Sequence, residues 1–392
     1  MPNPSSIQSN SQGDRILKQT KLHLEWSETP VRRFRTGVSL HSHTLHSHET
    51  LDFIYRLAQH VGGIGWVLKQ GENRYRARSG RELDLRRAWW TPPCAPYDAW
   101  LLEKRQIERQ MQLQALVSLT DHDSIEAPLS LRALDSCRDS PISVEWSVPY
   151  GGTVFHLGIH NLPPEKAQQI FNDLQAITAT GGTASLTPVL EFLAENPEIL
   201  VVFNHPCWDE NGIGAARHAE TAACFLCNYG QFIHALELNG LRPWAENQRV
   251  LQMAHAFAKP IVSGGDRHAL EANTVLDLTN AASFSEYVQE VRSGWSNVLV
   301  TRQYREPFGL RILRNLEEIL RDYEAHGRGW RRWTDRVFYR CEDDIVRSVS
   351  DLFSRGVPAP IQLFVNSVGL IRHCAVDRTF RLVMRRPQEL AA

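Results

Sequence analysis

Val38-Ser39-Leu40-His41-Ser42-His43 decides how this chain is read: an apolar run that ends in two histidines one residue apart. Side chains two apart on a strand share a face, so both imidazoles leave the strand end on one side. Three further runs end alike. Leu116-Val117-Ser118-Leu119 leads to Asp121-His122-Asp123, Leu200-Val201-Val202-Phe203 to Asn204-His205-Pro206, and Ile261-Val262-Ser263 to Gly265-Asp266-Arg267-His268. Glu145, His156 and His160 lie between the second and third. Successive buried strands bring such ends to one rim of a parallel sheet or barrel. Neutral imidazoles and carboxylates gathered there are what divalent transition metals bind. Without a metal the same polar groups would converge at a large desolvation cost. The pattern is that of a metalloenzyme.

Working outward, strand-like and helix-like segments alternate from Gly37 to about Thr301. Helical spacing is expected over 50–60, 124–134, 163–178, 187–196, 215–228, 244–258 and 285–293, with strands at 115–119, 142–145, 153–157, 200–203, 232–238 and 261–263. This alternation argues for α/β architecture built from βαβ units. Ligands at the carboxyl ends of many strands favour a TIM-like barrel, whose strand ends converge on one axis. Residues 1–36 are expected to be a disordered tail, and 37–303 the barrel domain. Residues 62–114 form an insertion far longer than one crossover needs. Its run Trp89-Trp90-Thr91-Pro92-Pro93 suits either a lid over the rim or an aromatic cluster anchoring a long loop. Residues 304–392, with sixteen arginines, twelve acids and no lysine, are expected to be a mainly helical extension, with helices at 310–323 and 342–353. It would pack on the barrel or mediate a homo-oligomer; an arginine surface for a phosphorylated or nucleic-acid partner is the sharper alternative.

Composition sets bounds. The 392 residues carry a formal charge of −1, so bulk electrostatics gives no argument for nucleic acid or an anionic membrane. Seven scattered cysteines do not suggest a disulfide framework. No signal-peptide core and no membrane-length apolar run is found, which makes a cytoplasmic enzyme the expectation. Cys224-Phe225-Leu226-Cys227 has redox spacing but no second pair, and is read as buried structure. Cys207 is read as core or as support for the His205 motif. Gly151-Gly152 and Gly181-Gly182 are turns, since neither shows the remaining glycines of a phosphate loop.

Taken together and in order, these motifs resemble those of the PHP (polymerase and histidinol phosphatase) superfamily of metal-dependent phosphoesterases. The resemblance covers roughly residues 37–303. It rests on Leu40-His41-Ser42-His43, Leu119-Thr120-Asp121-His122-Asp123, Val144-Glu145, Phe155-His156-Leu157-Gly158, Asn204-His205-Pro206 and Gly265-Asp266-Arg267-His268. It implies a distorted (β/α)7 barrel holding up to three ions at the strand C-termini. It also implies a ligand set: His41, His43, Glu145 and Asp266 at a first ion, Glu145 bridging to a second held by His156 and His205, and His48, His122 and His268 at a third. His48-Glu49 stand where the tryptophan-operon-linked relatives carry aspartate and glycine. His46 competes with His48, and His160 with His156.

Clustered dications lower the pKa of a bridging water and neutralise charge on phosphoryl oxygens. The expected reaction is therefore hydrolysis of a phosphate ester, a monoester before a diester, with two to three ions of manganese, iron or zinc. The substrate would be a small phosphorylated molecule, a nucleotide among the options. Asp121 or Asp123 would orient His122 or accept a proton, and Arg242 and Arg267 are candidates for holding the phosphate. An amidohydrolase would start with the same His-x-His but usually needs a metal-bridging lysine, and none occurs between Lys166 and Lys259. A non-catalytic metal-binding module is the other alternative.

Overall fold

A computed structural model gives the structure of residues 20–26, 30–51, 62–80, 84, 87–181, 186–323, 332–373 and 378. Its strands are β1 (Thr20–Leu24), β2 (Thr36–Ser39), β3 (Glu49–Thr50), β4 (Ala88–Trp90), β5 (Gln114–Val117), β6 (Ile142–Tyr150) and β7 (Thr153–Leu162). There follow β8 (Leu200–Asn204), β9 (Ala235–Asn239), β10 (Ile261–Gly264), β11 (Val275–Thr279), β12 (Ser296–Val300), β13 (Val337–Arg340) and β14 (Val346–Ser348). One five-stranded sheet has the order β1-β12-β11-β2-β5, a second β10-β9-β8-β7-β6.

The α/β architecture expected from the alternation is present, but the sheets are mixed. β2–β5, β8–β9 and β9–β10 pair parallel, whereas β6–β7, β7–β8 and β2–β11 pair antiparallel. Among the described residues no single sheet closes into a barrel. Two isolated parallel bridges, Ser42–Arg267 and His122–Glu145, connect the sheets at their ligand-bearing ends. Backbone bonds reinforce them, from His43 N to Arg267 O at 2.8 Å and from Asp123 N to Glu145 O at 2.9 Å.

Every residue of β8 and β9 is buried, as continuous apolar runs covered on both faces require. The helices are apolar on one stripe and settle onto the sheets: Ile170, Leu174 and Ile177 of Ala167–Thr180 join Trp146, Phe203 and Phe225 in the main core. That helix stops at Gly181, whose φ of +61° is the left-handed cap that glycine accepts without strain. Helix Phe284–Arg292 starts at Ser283, whose hydroxyl accepts the Glu286 N–H at 3.2 Å. No helix among the described residues is long and apolar enough to cross a membrane.

Three expectations need correcting. The tail through residue 36 is not unstructured throughout: β1 pairs with β12 in register from Thr20–Ser296 to Leu24–Val300. Leu24 and Trp26 pack against the main core, a long-range pairing that the polar composition conceals. The extension is not purely helical either. Helices Phe308–Ile319 and Ala359–Gly369 form, but 342–353 yields β14 and a single turn, Val349–Leu352. Strands from insertion and extension share a third sheet, ordered β14-β13-β4-β3, in which Tyr339 packs with Leu51, Ala88 and Trp90. The amphipathic run at 50–60 lies almost wholly outside the described residues.

Candidate metal centre

Polar residues at the ends of β2, β5, β8 and β10 converge around one buried carboxylate, Glu145, which lies within β6 at the His122 bridge. Its two oxygens face different partners. Oε2 lies 2.9 Å from His41 Nε2, 3.3 Å from His122 Nε2 and 3.4 Å from His43 Nε2. Oε1 lies 3.1 Å from His205 Nε2 and 3.6 Å from His156 Nδ1, and accepts the Asn204 amide at 3.0 Å. His41 Nε2 and His43 Nε2 are 3.0 Å apart, with Asp266 Oδ1 at 3.9 and 3.5 Å from them. Ligand atoms on a single tetrahedral ion sit about 3.4 Å from each other. His41 Nε2, His43 Nε2 and Glu145 Oε2 therefore have the spacing of a coordination shell, with Asp266 beside the two histidines.

A second convergence lies beside the first. Glu49 Oε2 is 3.4 Å from His122 Nε2 and 3.2 Å from His268 Nε2. Four groups able to hold a metal ion, His41–His43–Glu145, His43–Asp266–His268, His43–Glu49–His122 and His122–Glu145–His156, thus overlap in shared members. The donor set suits a cluster of cations. His156 Nδ1 supports this from another side, being buried with no hydrogen-bond partner among the described residues.

Electrostatics follows from the crowding. Burial would push the Glu145 carboxyl up, yet the imidazoles of His122, His41 and His156 hold it well below the usual carboxylate range. Burial likewise opposes Asp266, which His43, Arg242 and His268 keep low. Burial pushes His43 and His156 down to about 4, leaving neutral rings with lone pairs to offer. Burial also acts against the charged form of His122, but Glu145 and Glu49 carry it up to about 9. In the metal-free protein such protons supply positive charge that bound cations would replace.

Supporting groups fix the ligands. Glu237 Oε1 meets His41 Nδ1 at 2.5 Å, and its Oε2 accepts the His205 N–H at 2.7 Å. A carboxylate on the far nitrogen orients a ligating imidazole. Gly264 permits this approach, since a Cβ there would lie 1.5 Å from Glu237 Oε1. Glu210 stands 3.3 Å from His156 Nε2. His205 and Asp266 have φ of +26° and +51°, left-handed values that cost about 1–3 kcal/mol each and cluster at functional sites. The extension contributes too: Glu318 accepts the N–H groups of Leu270 and Glu271 at 2.5 and 2.8 Å, and Arg311 donates to the Gly240 carbonyl.

Of the residues singled out in the sequence, His41, His43, His122, Glu145, His156, His205, Asp266 and His268 come together. His48 does not join these groups: it is exposed and tilts over Trp89 at 5.6 Å, while its neighbour Glu49 turns inward. His46 pairs outward with Glu126 at 2.9 Å, and His160 binds the Ser118 hydroxyl at 2.9 Å. Asp121 is occupied by the Thr44 N–H and hydroxyl, at 2.5 and 2.7 Å, and Asp123 by the Ser147 N–H at 2.9 Å. Both therefore hold backbone in place. Arg242 faces the centre, 3.3 Å from Asp266 Oδ2 and 4.1 Å over the Trp208 ring.

Arg267 points the other way. It is buried and stands 3.2 Å from Glu103, on helix Pro96–Arg105 of the insertion. Glu103 also accepts from Ser39, Ser42 and Asn273 at 3.1, 2.5 and 2.5 Å. Ser42 and Arg267 are the middle residues of His41-Ser42-His43 and Asp266-Arg267-His268. Alternation separates His41 and His43 from Ser42, and Ser42 and Arg267 both face Glu103, away from the ligands. Cys224 and Cys227 are exposed, not buried as expected, because they lie on the solvent side of helix Ala215–Tyr229.

Glu49, Glu103 and Glu237 were missed in the sequence. Glu237 carried a signal, a glutamate inside an apolar strand two residues before Asn239, whose amide donates to it at 3.0 Å.

No family model matches this chain, and no curated protein does. Among solved structures it is similar to an amidohydrolase from Chromobacterium violaceum, determined with bound sulfate and no metal. They share 15% identity over 46% of this chain and 84% of the other, with a TM-score of 0.30. It is also similar to a protein from Bifidobacterium adolescentis described as a metal-dependent phosphoesterase, at 12% identity over 52% of this chain and 92% of the other, with a TM-score of 0.32. Neither likeness is close enough to fix an activity.

Proposed function

We propose that this chain is a metal-dependent hydrolase of phosphate esters, monoesters before diesters, of the PHP type that its ordered motifs resemble. The observation that carries the reading is the division of the Glu145 carboxylate between two sets of histidines, His41, His43 and His122 at one oxygen and His156 and His205 at the other. A carboxylate disposed in this way would suit a bridge between two cations. Asp266 completes the first set, and Glu49 with His122 and His268 forms a third, in which Glu49 takes the place the sequence reading gave to His48. The ions, manganese, iron or zinc, would lower the pKa of a coordinated water and neutralise phosphoryl charge. Arg242, held beside Asp266 at the rim, would pair with a phosphate oxygen in this reading.

A distorted (β/α)7 barrel is the frame this reading implies. Support comes from strand adjacency: β2 to β5, across the His122–Glu145 bridge to β6, through β7, β8 and β9 to β10, and across Ser42–Arg267 back to β2. The amidohydrolase alternative finds no bridging lysine among the described residues; Lys259 donates to the Ile233 carbonyl at 2.7 Å.

Purified protein, stripped of metal and reloaded separately with manganese, iron(II) or zinc, tests the reading on matched panels of phosphate monoesters, diesters and amides. Phosphate release that appears only on reloading, and that inorganic phosphate inhibits competitively, is the expected result. Amide cleavage, or no phosphate release with any metal, overturns it.

A further inference from the structure

A cavity of about 710 Å³ opens beside the metal centre, with His122 and Asp123 among its lining residues. That volume is ample for a small-molecule group, since such sites span about 300–1,000 Å³. Much of its wall is aromatic and comes from the third sheet. Trp89 on β4 and Phe338 on β13 are register partners, stacked with ring centroids 5.7 Å apart and planes at 24°. Phe171, from helix Ala167–Thr180, adds another ring.

Charge narrows what the cavity can take. Among the described residues no arginine or lysine lines it; His46, His48 and His122 do, and its acidic members are Asp123 and Glu126, the latter paired with His46 at 2.9 Å. A second phosphate or carboxylate on the leaving group would find no guanidinium or ammonium group there to pair with. An aromatic wall instead gains from a flat ring by burial and by ring–ring contact.

We infer that the cavity is the leaving-group site, and that the substrate is a phosphate ester of an alcohol bearing a flat aromatic or heteroaromatic ring and no second anionic group, with Trp89 and Phe338 as its specificity determinants. This rests on the phosphoesterase reading above. The ester phosphorus would lie on the His122 side and the ring against the third sheet.

The manganese-loaded protein is assayed with 2-phenylethyl phosphate, glycerol 3-phosphate and fructose 1,6-bisphosphate. The ring ester should exceed both others in kcat/KM by about tenfold or more. Trp89→Ala and Phe338→Ala should each cut that preference severalfold, mainly through KM, and Trp89→Phe should restore most of it. Equal kcat/KM for the three esters, or preference for the bisphosphate, overturns the inference while leaving phosphoesterase chemistry intact. Saturation-transfer NMR with 2-phenylethanol separates the two readings. Binding of the alcohol that Trp89→Ala weakens, in a protein that releases no phosphate from any ester, would sustain the cavity and overturn the chemistry. Absence of alcohol binding in wild type overturns the inference, and Phe338→Ala decides the matter if Trp89→Ala does not fold.

Discussion

Glu145 and Glu103 are both fully buried carboxylates that hold the end of β2, the first against residues of β5, β7 and β8 and the second against the end of β10, yet their surroundings differ in kind. Glu103 is met by a guanidinium, two hydroxyls and an amide, groups that stay in one state across the physiological pH range. Glu145 is met mainly by imidazoles, which change protonation state near neutrality and offer lone pairs. The first arrangement is saturated and fixes geometry. The second is complete only when something positive occupies it. Burial and hydrogen-bond number alone do not distinguish a functional carboxylate from a structural one; the identity of the partners does.

Substitution gives the comparison its strongest test. Glu145→Gln removes the charge shared between the two histidine sets, so turnover should fall by about a thousandfold and the bound metal should drop, as elemental analysis would read. Full metal content with retained rate would place Glu145 in the same class as Glu103. Glu103→Ala should act on stability instead. It leaves Arg267 buried without its charge partner, a loss of about 3–5 kcal/mol in denaturant unfolding, with Glu103→Gln milder. If Glu103→Ala unfolds like wild type but loses metal, the two carboxylates are not separable in role.

The smaller test concerns neighbours in sequence. Glu49→Gln should cost one metal equivalent and about a hundredfold in rate, comparable to losing one preorganised electrostatic contact. His48→Ala should keep the full metal count. The reverse order would restore His48 to the third set.

How much of this was legible in the sequence follows from what is locally encoded. The apolar strand ends and their histidines could be read because period-two alternation fixes which side chains share a face. In the sequence only His48 and His46 compete here and Glu49 is missed, because which side chain turns inward depends on β3 pairing with β4, some forty residues later. Arg267 looked like a phosphate ligand because its side-chain direction depends on the bridge to Ser42, a contact between residues over two hundred apart in sequence. The third sheet was invisible for the same reason. Val337-Phe338-Tyr339-Arg340 is short and flanked by arginines, and only its register with Ala88-Trp89-Trp90 makes it a strand.

That third sheet also sets an order of events during synthesis. The candidate metal ligands are all in the chain by His268, but β4 has its inner neighbour only after β13 is made. A ribosome adding about 5–20 residues per second completes the ligand set several seconds before the wall that carries Phe338. In that interval one edge of β4 is open to pairing with another chain. Nascent chains stalled between residues 270 and 336 should therefore be more prone to misassociation than chains extended past Ser348.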